Sequence, residues 1–344
     1  MSHRVGVAVV LTAAIWFPAG TAVASTASTC TFDEAIGRVE ISLTGNANVL
    51  FRSGDEIELN GGAACTGSTV FNTDTIVVTG DGTTPDGTAV AMLIDMTGGR
   101  FAPGLTDEGP ASEIEIDVRF AAHSPNQLSI YANTGGQRIA VRGHRIDLDA
   151  DAIDADADVL VTGIGNCDGT QCFFLSVSTG AGADRIDHRA HPNDQGALAF
   201  IAGGPGRDVM DSRSSAGTGT FVDGRAGDDI LRSSAGSQVA GGRGDDLLVS
   251  TGGRAFLLGQ RGSDRIFGRD RGDYLDGGNG PDEIVGDRGA DTLRGGRGAD
   301  RLWGGPGPDE SRGDEGFDRC EPEREWTLRE QSCERRLLVP PPHP

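Results

Sequence analysis

GGNGPDEIVGDRGADTLRGGRGADRLW, Gly277 to Trp303, is three nine-residue units laid end to end. Each opens on glycine, repeats glycine at the fourth place, carries aspartate at the sixth and places Ile or Leu at the eighth. The same frame begins at Gly241 and ends at Glu321, nine registers without an insertion. Aspartate holds the sixth place in eight of the nine, and Leu or Ile the eighth in seven. Looser copies precede it: TGAGADRID from Thr179, GGPGRDVMD from Gly203 and GRAGDDILR from Gly224.

Clustered glycines permit positive φ and close backbone approach, so the first half of each unit reads as a sharp turn. The second half reads as a short strand with one residue pointing inward. Leu248, Leu258, Ile266, Leu275, Ile284, Leu293 and Leu302 are the residues expected to do so. Two units make a coil of eighteen residues, and stacked coils make a parallel solenoid. The sixth-place carboxylates then form columns. One edge should carry Asp246, Asp264, Asp282, Asp300 and Asp318; the other should carry Asp273, Asp291 and Asp309, with Ala255 breaking the column. Carboxylates stacked at a strand spacing of ~4.8 Å repel unless a cation lies between them, and a hard divalent ion with oxygen ligands suits that place.

The pattern GGxGxDxUx resembles the haemolysin-type calcium-binding repeat, also called RTX. That resemblance implies an all-β fold, a parallel β-solenoid or calcium β-roll, in which turn carbonyls and aspartates of stacked turns share Ca2+. Carried onto this chain, it marks Asp208, Asp229, Asp246, Asp264, Asp273, Asp282, Asp291, Asp300, Asp309 and Asp318 as metal ligands. About six ions are expected over Gly241 to Glu321, since each shared site needs two stacked turns. Arg271 stands where the family has glycine, and Ala255 removes a ligand. Because such sites do not exist in the unfolded chain, metal binding is folding energy. Six sites, each in calcium at ~10 times its dissociation constant, would contribute about 8 kcal/mol, comparable with a whole domain's stability.

Composition agrees with a thin, cation-seeking fold. Glycine numbers 54, aromatic residues are 5%, and 51 acidic residues face 30 basic ones, all arginine, for a formal charge of −21. Nucleic acid is excluded as a partner by that balance. Residues 1–24 read as a secretory signal peptide: a basic start, a short apolar run broken by Pro18, and small residues at Ala22 and Ala24. No later segment is apolar enough to span a bilayer, so the expected location is extracellular, without membrane insertion. Six cysteines in an exported chain fit disulfides. Sequence proximity suggests Cys167 with Cys172 and Cys320 with Cys333, leaving Cys30 for Cys65.

Residues 25–178 read as β-rich. VEISL, NVLFRSG, DEIELNGG, TIVVTGDG, SEIEIDV, QLSIY, QRIAVRG, HRIDLDAD and DVLVTG alternate apolar with polar residues between turn signals. Solenoid coils leading into the repeats of 179–321 are the favoured organisation; a separate β-sandwich is the alternative. NTDTIVVTG, GGRFAPG and SEIEI resemble the front half of secreted calcium-binding proteins of high-GC bacteria. Residues 322–344 are expected to form a short capping helix, with Trp326, Cys333 and Leu337 on one face, and a loose tail.

Catalytic motifs are few. There is no HExxH and no GxSxG. His188 and His191, beside Pro192, read as surface histidines of a loop. The acidic run Ile146 to Val159 reads as a solvated strand face or an extra cation edge. The expected function is a secreted calcium-binding β-roll with a structural or interaction role at the cell surface, its partners calcium and a cell-wall or extracellular polysaccharide. The alternative is a carbohydrate lyase or epimerase using Asp147, Asp149, Arg142 and Arg145 on a solenoid face.

Overall fold

The computed structural model describes residues 29–320, apart from the connections 81–89, 97–114, 148–158, 163–172 and 190–197 and shorter loop stretches, together with Cys333–Arg335. Among the described residues every regular element is a β-strand, and no helix is long and apolar enough to cross a membrane. Two sheets, of sixteen and twelve strands, run the whole length. Along the repeats the chain alternates between them, one strand in each, so that a pair of strands and two turns makes one coil.

Parallel pairing fixes the coil length. Phe256 pairs with Tyr274, Tyr274 with Thr292, and Thr292 with Glu310, each partner eighteen residues further on. The amino-terminal half belongs to the same stack. Arg38–Leu43 pairs in parallel with Thr75–Gly80, that strand with Glu115–Phe120, and that with Val159–Thr162. The solenoid organisation therefore holds and the sandwich does not. One irregularity interrupts the first sheet, where Arg138–Arg142, Arg145–Asp147 and Val159–Thr162 form an antiparallel meander.

A solenoid leaves a row of unpaired backbone groups at each end, which invites edge-to-edge association. At the amino-terminal end both sheets are finished by antiparallel strands, Thr29–Asp33 on Arg38–Leu43 and Glu56–Leu59 on Asn48–Ser53. The Cys30–Cys65 disulfide ties this end together. Cys320 is also disulfide-bonded, while Cys167 and Cys172 lie outside the described residues. At the carboxy-terminal end the expected helix is corrected in part: Cys333–Arg335 is a strand, paired in parallel with Asp318–Cys320. On the first sheet the outer backbone groups of Asp318–Cys320 are satisfied by one more strand, which a helix cannot supply. The remainder of 322–344 lies outside the described residues.

The core thins along the axis. Several amino-terminal strands bury two or three apolar residues, as in Val39, Ile41 and Leu43 or Ile76 and Val78. Repeat strands bury one apiece in this core: Leu248, Leu257, Ile266, Leu275, Ile284, Leu293 and Leu302. Leu257, not the expected Leu258, is the inward residue of its register, because it stands eighth from Ser250. A fully buried Leu or Ile contributes ~1.5–3 kcal/mol. A coil with two of them in this core therefore draws less apolar stabilisation from it than a coil with four, such as Ile76, Val78, Met92 and Ile94. A second file, Val249, Phe267, Val285 and Trp303 at the ninth place of alternate units, forms a separate buried cluster. Strand alternation puts it on the opposite side of the first sheet from Leu248 and Ile266.

Candidate metal centre

The turns at one edge align eight aspartates, Asp184, Asp208, Asp229, Asp246, Asp264, Asp282, Asp300 and Asp318, all buried. They are linked head to tail. Each backbone N–H donates to Oδ1 of the aspartate one coil further on: Asp184 to Asp208 at 2.9 Å, Asp208 to Asp229 at 2.7 Å and Asp229 to Asp246 at 2.8 Å. Asp246 donates to Asp264 at 2.9 Å, Asp264 to Asp282 at 2.8 Å, Asp282 to Asp300 at 2.9 Å and Asp300 to Asp318 at 3.1 Å. The opposite edge repeats the motif over a shorter run, from Ala255 N–H to Asp273 at 2.7 Å, Asp273 to Asp291 at 2.8 Å and Asp291 to Asp309 at 2.9 Å.

At Asp208 the second oxygen accepts from the Gly204 N–H at 3.0 Å. In eight of the other carboxylates one oxygen is thereby used and the other is left over. Oδ2 of Asp229, Asp246, Asp264, Asp273, Asp282, Asp291, Asp300 and Asp318 is buried without a hydrogen-bond partner. Buried oxygens bearing charge are costly unless something answers them, and a cation is the answer that fits a row of acceptors with no donors. The first-place glycine makes room for it. At Gly268 a Cβ would stand 2.8 Å from Asp273 Oδ2 and 2.9 Å from the Gly286 carbonyl oxygen of the next coil. Carboxylate and carbonyl oxygens thus converge on the same small space, the chemistry a hard divalent ion needs. Among the described residues no three His, Cys, Asp or Glu side chains gather in one cluster, so an ion held here would also draw on backbone carbonyls and water.

Burial shapes the protonation of the ladder. Loss of solvent, then repulsion between neighbouring carboxylates, pushes Asp246 and Asp282 up to about 8. Asp229, Asp273 and Asp291 rise to about 7 and Asp264 and Asp300 to about 6, again chiefly through burial, while the N–H donors pull the other way. Asp208 and Asp318 are raised for the same leading reason. In the absence of a cation these sites hold protons at pH values where ordinary carboxylates do not.

Arg271 meets the fourth-place turn with φ 77°, in the left-handed region that costs an L-residue ~1–2 kcal/mol. The turn nonetheless forms, since Asp273 two residues on is buried and bonded. Upstream of Asp273 the second edge changes character. Ala255 is preceded in its column by Ser237, and Ser250 stands where the next registers have Gly268 and Gly286.

Sequence reasoning missed three features. Asp184 joins the first column, a place its copy TGAGADRID already signalled. His188 is no surface histidine: it points inward beside Ile186 in Arg185–Arg189, is 3% exposed, and its Nδ1 lies 2.8 Å from Ser212 Oγ. Alternation in the strand places it there, while the neighbouring Pro192 suggested a loop. His191 lies outside the described residues, as does Asp149, whereas Arg142, Arg145 and Asp147 fall on the antiparallel meander, Arg145 opposite Arg142. The third feature is the ninth-place apolar file.

A parallel β-roll with glycine-cradled aspartate ladders is the architecture of a calcium-binding repeat protein. Residues 240–275, 249–284 and 276–310 match the family described as RTX calcium-binding nonapeptide repeat (4 copies), so residues 240–310 are repeats of that calcium-binding kind. No curated protein and no solved structure matches the chain.

Proposed function

We propose that this chain is an exported calcium-folded β-solenoid with a structural or interaction role outside the cell. Residues 1–24 act as the signal peptide, 25–178 as a metal-free β-solenoid segment, 179–321 as the calcium-responsive roll, and 322–344 as its terminal cover. The observation that carries the reading is the buried, partnerless Oδ2 of eight aspartates in two columns, Asp229, Asp246, Asp264, Asp282, Asp300 and Asp318 in one and Asp273 and Asp291 in the other, beside convergent carbonyls. Asp208, Asp229, Asp246, Asp264, Asp282, Asp300 and Asp318, joined by Asp184, hold ions between successive turns of the first edge. Asp273, Asp291 and Asp309 do so on the second.

The ladder extends calcium binding upstream of residues 240–310, because the same N–H to Oδ1 chain continues unbroken to Asp184. The gradient of the core supplies the mechanism of folding. The amino-terminal coils, rich in apolar contacts and closed by Cys30–Cys65, form a template. The roll then adds coil by coil as each ion joins two turns, since ion and turn stabilise one another. Secretion into millimolar calcium would thus complete a fold left incomplete before export.

Far-ultraviolet circular dichroism during a calcium titration, from chelator to ~10 mM with magnesium as control, tests this. A cooperative gain of β signal with calcium alone is expected. A full β spectrum in chelator, unmoved by calcium, would sink the folding role.

A further inference from the structure

The outer face of the second sheet carries a file of side chains that the metal columns do not use. Parallel register places Phe221, Gln238, Phe256, Tyr274, Thr292 and Glu310 one after another, advancing one strand spacing, ~4.8 Å, per residue. Phe200 extends the file, its ring stacked on Phe221 with centroids 5.1 Å apart. Phe256 and Tyr274 follow at 5.9 Å, and Phe256 is 43% exposed. Where the aromatics end, Tyr274, Thr292, Arg294, Glu310 and Arg312 line a groove of about 370 Å³.

Polar groups of the groove are held in place by one another. The Tyr274 hydroxyl donates to Asp276 at 3.2 Å, Arg294 donates to Asp314 at 2.9 Å and lies 3.7 Å from Asp276, and Arg312 donates to Glu310 at 2.7 Å. We propose that this face is a docking track for a neutral polysaccharide, the rings packing against the apolar C–H faces of sugars and the paired arginines and carboxylates taking their hydroxyls. Charge selects that occupant. Each guanidinium is balanced by a carboxylate, so the groove offers oriented donors and acceptors rather than a field for a polyanion. The chain as a whole, at −21, repels acidic polymers. A protein partner would need a broad apolar centre, whereas here the apolar strip is narrow, one file of rings flanked by Leu198 and Leu258. The strand spacing is also close to the length of one sugar unit in an extended chain, so successive rungs meet successive sugars. The track lies on the flat of the sheet, apart from the calcium edges, and depends on them only for the sheet to be folded.

The test uses the full chain in calcium, with circular dichroism read on every sample. Retention on insoluble cellulose, chitin and β-1,3-glucan and affinity for their soluble oligosaccharides are measured for wild type, Phe256→Ala, Arg312→Ala and, on the other sheet, Arg189→Ala. At least one neutral glycan should be retained with little salt dependence. Phe256→Ala should weaken it about tenfold and Arg312→Ala several-fold, with Arg189→Ala unchanged. The proposal is overturned if the folded wild type retains none of the three, if it prefers pectate or alginate in a salt-labile way, or if the Phe256 and Arg312 variants bind as wild type does.

Discussion

The second edge is interrupted at Ala255, and the structure says what repairing it requires. Ala255→Asp would set a carboxylate above Asp273, whose Oδ2 has no hydrogen-bond partner. At intact registers, however, a Cβ on the first-place glycine would stand 2.8 Å from Asp273 Oδ2 at Gly268 and 2.6 Å from Asp291 Oδ2 at Gly286. The residue five before Ala255 is Ser250, fully buried, so its Cβ occupies the place the new oxygen must take. Ala255→Asp alone is therefore expected to destabilise by ~1–3 kcal/mol through overpacking. Ser250→Gly with Ala255→Asp should instead create one further ion site. At calcium ten times its dissociation constant that site contributes about 1.4 kcal/mol. A gain of roughly 3–6 °C in the unfolding midpoint follows for a unit of this size. In chelator the sign reverses, because the double variant adds a buried carboxylate with nothing to answer it. The assay is thermal unfolding in calcium and in chelator, with bound calcium per chain counted by calorimetric titration. If the single variant gains as much as the double, or the double folds but binds no additional ion, then shared sites built from stacked turns are the wrong description.

Other outcomes follow from the same geometry. Asp282→Asn, in mid-column, removes a carboxylate from two shared spaces, so it should lower the midpoint in calcium by more than Asp309→Asn, which ends its column and serves one. Arg271→Gly relieves a left-handed residue and should stabilise the calcium form by ~1 kcal/mol, read from chemical denaturation; an unchanged midpoint would mean that the turn bears no strain. For pH, the folded carboxylates titrate at about 6 to 8, above the ~3.9 of an unfolded aspartate. Their contribution in chelator is thus fully present below pH ~4 and is lost as pH rises through 6 to 8. Apo stability should fall over that window and calcium affinity should rise, as protons cease to compete; a calcium affinity flat from pH 5.5 to 8.5 would refute the burial of the ladder.

The period of nine carried most of the roll in plain view. Glycine, aspartate and one aliphatic residue recur because each is demanded by a local constraint: φ sign, ligand charge and inward side. Local constraints are legible in one dimension. Between Gly241 and Glu321 every second aspartate therefore falls on one edge, as the period requires. Each of the nine amino-terminal strand segments overlaps a strand for a similar reason, alternation of apolar and polar residues being a property of near neighbours. Val90–Asp95 escaped because Val90 to Ile94 is a continuous apolar run, and Thr29–Asp33 because every residue of that end strand is exposed or half-buried.

What only the tertiary structure decided is whatever depends on coils of unequal length. Asp184, Asp208, Asp229 and Asp246 are 24, 21 and 17 residues apart, so no period announces that they share an edge. Pairing across the sheet absorbs the difference into loops, and the column continues. The same pairing turned His188 inward to Ser212, gathered Val249, Phe267, Val285 and Trp303 into a second apolar file, and lined up Phe200 through Glu310 on one face. Residues so far apart in the chain meet because backbone hydrogen bonds set the register, and the register is a property of the stack rather than of any one repeat.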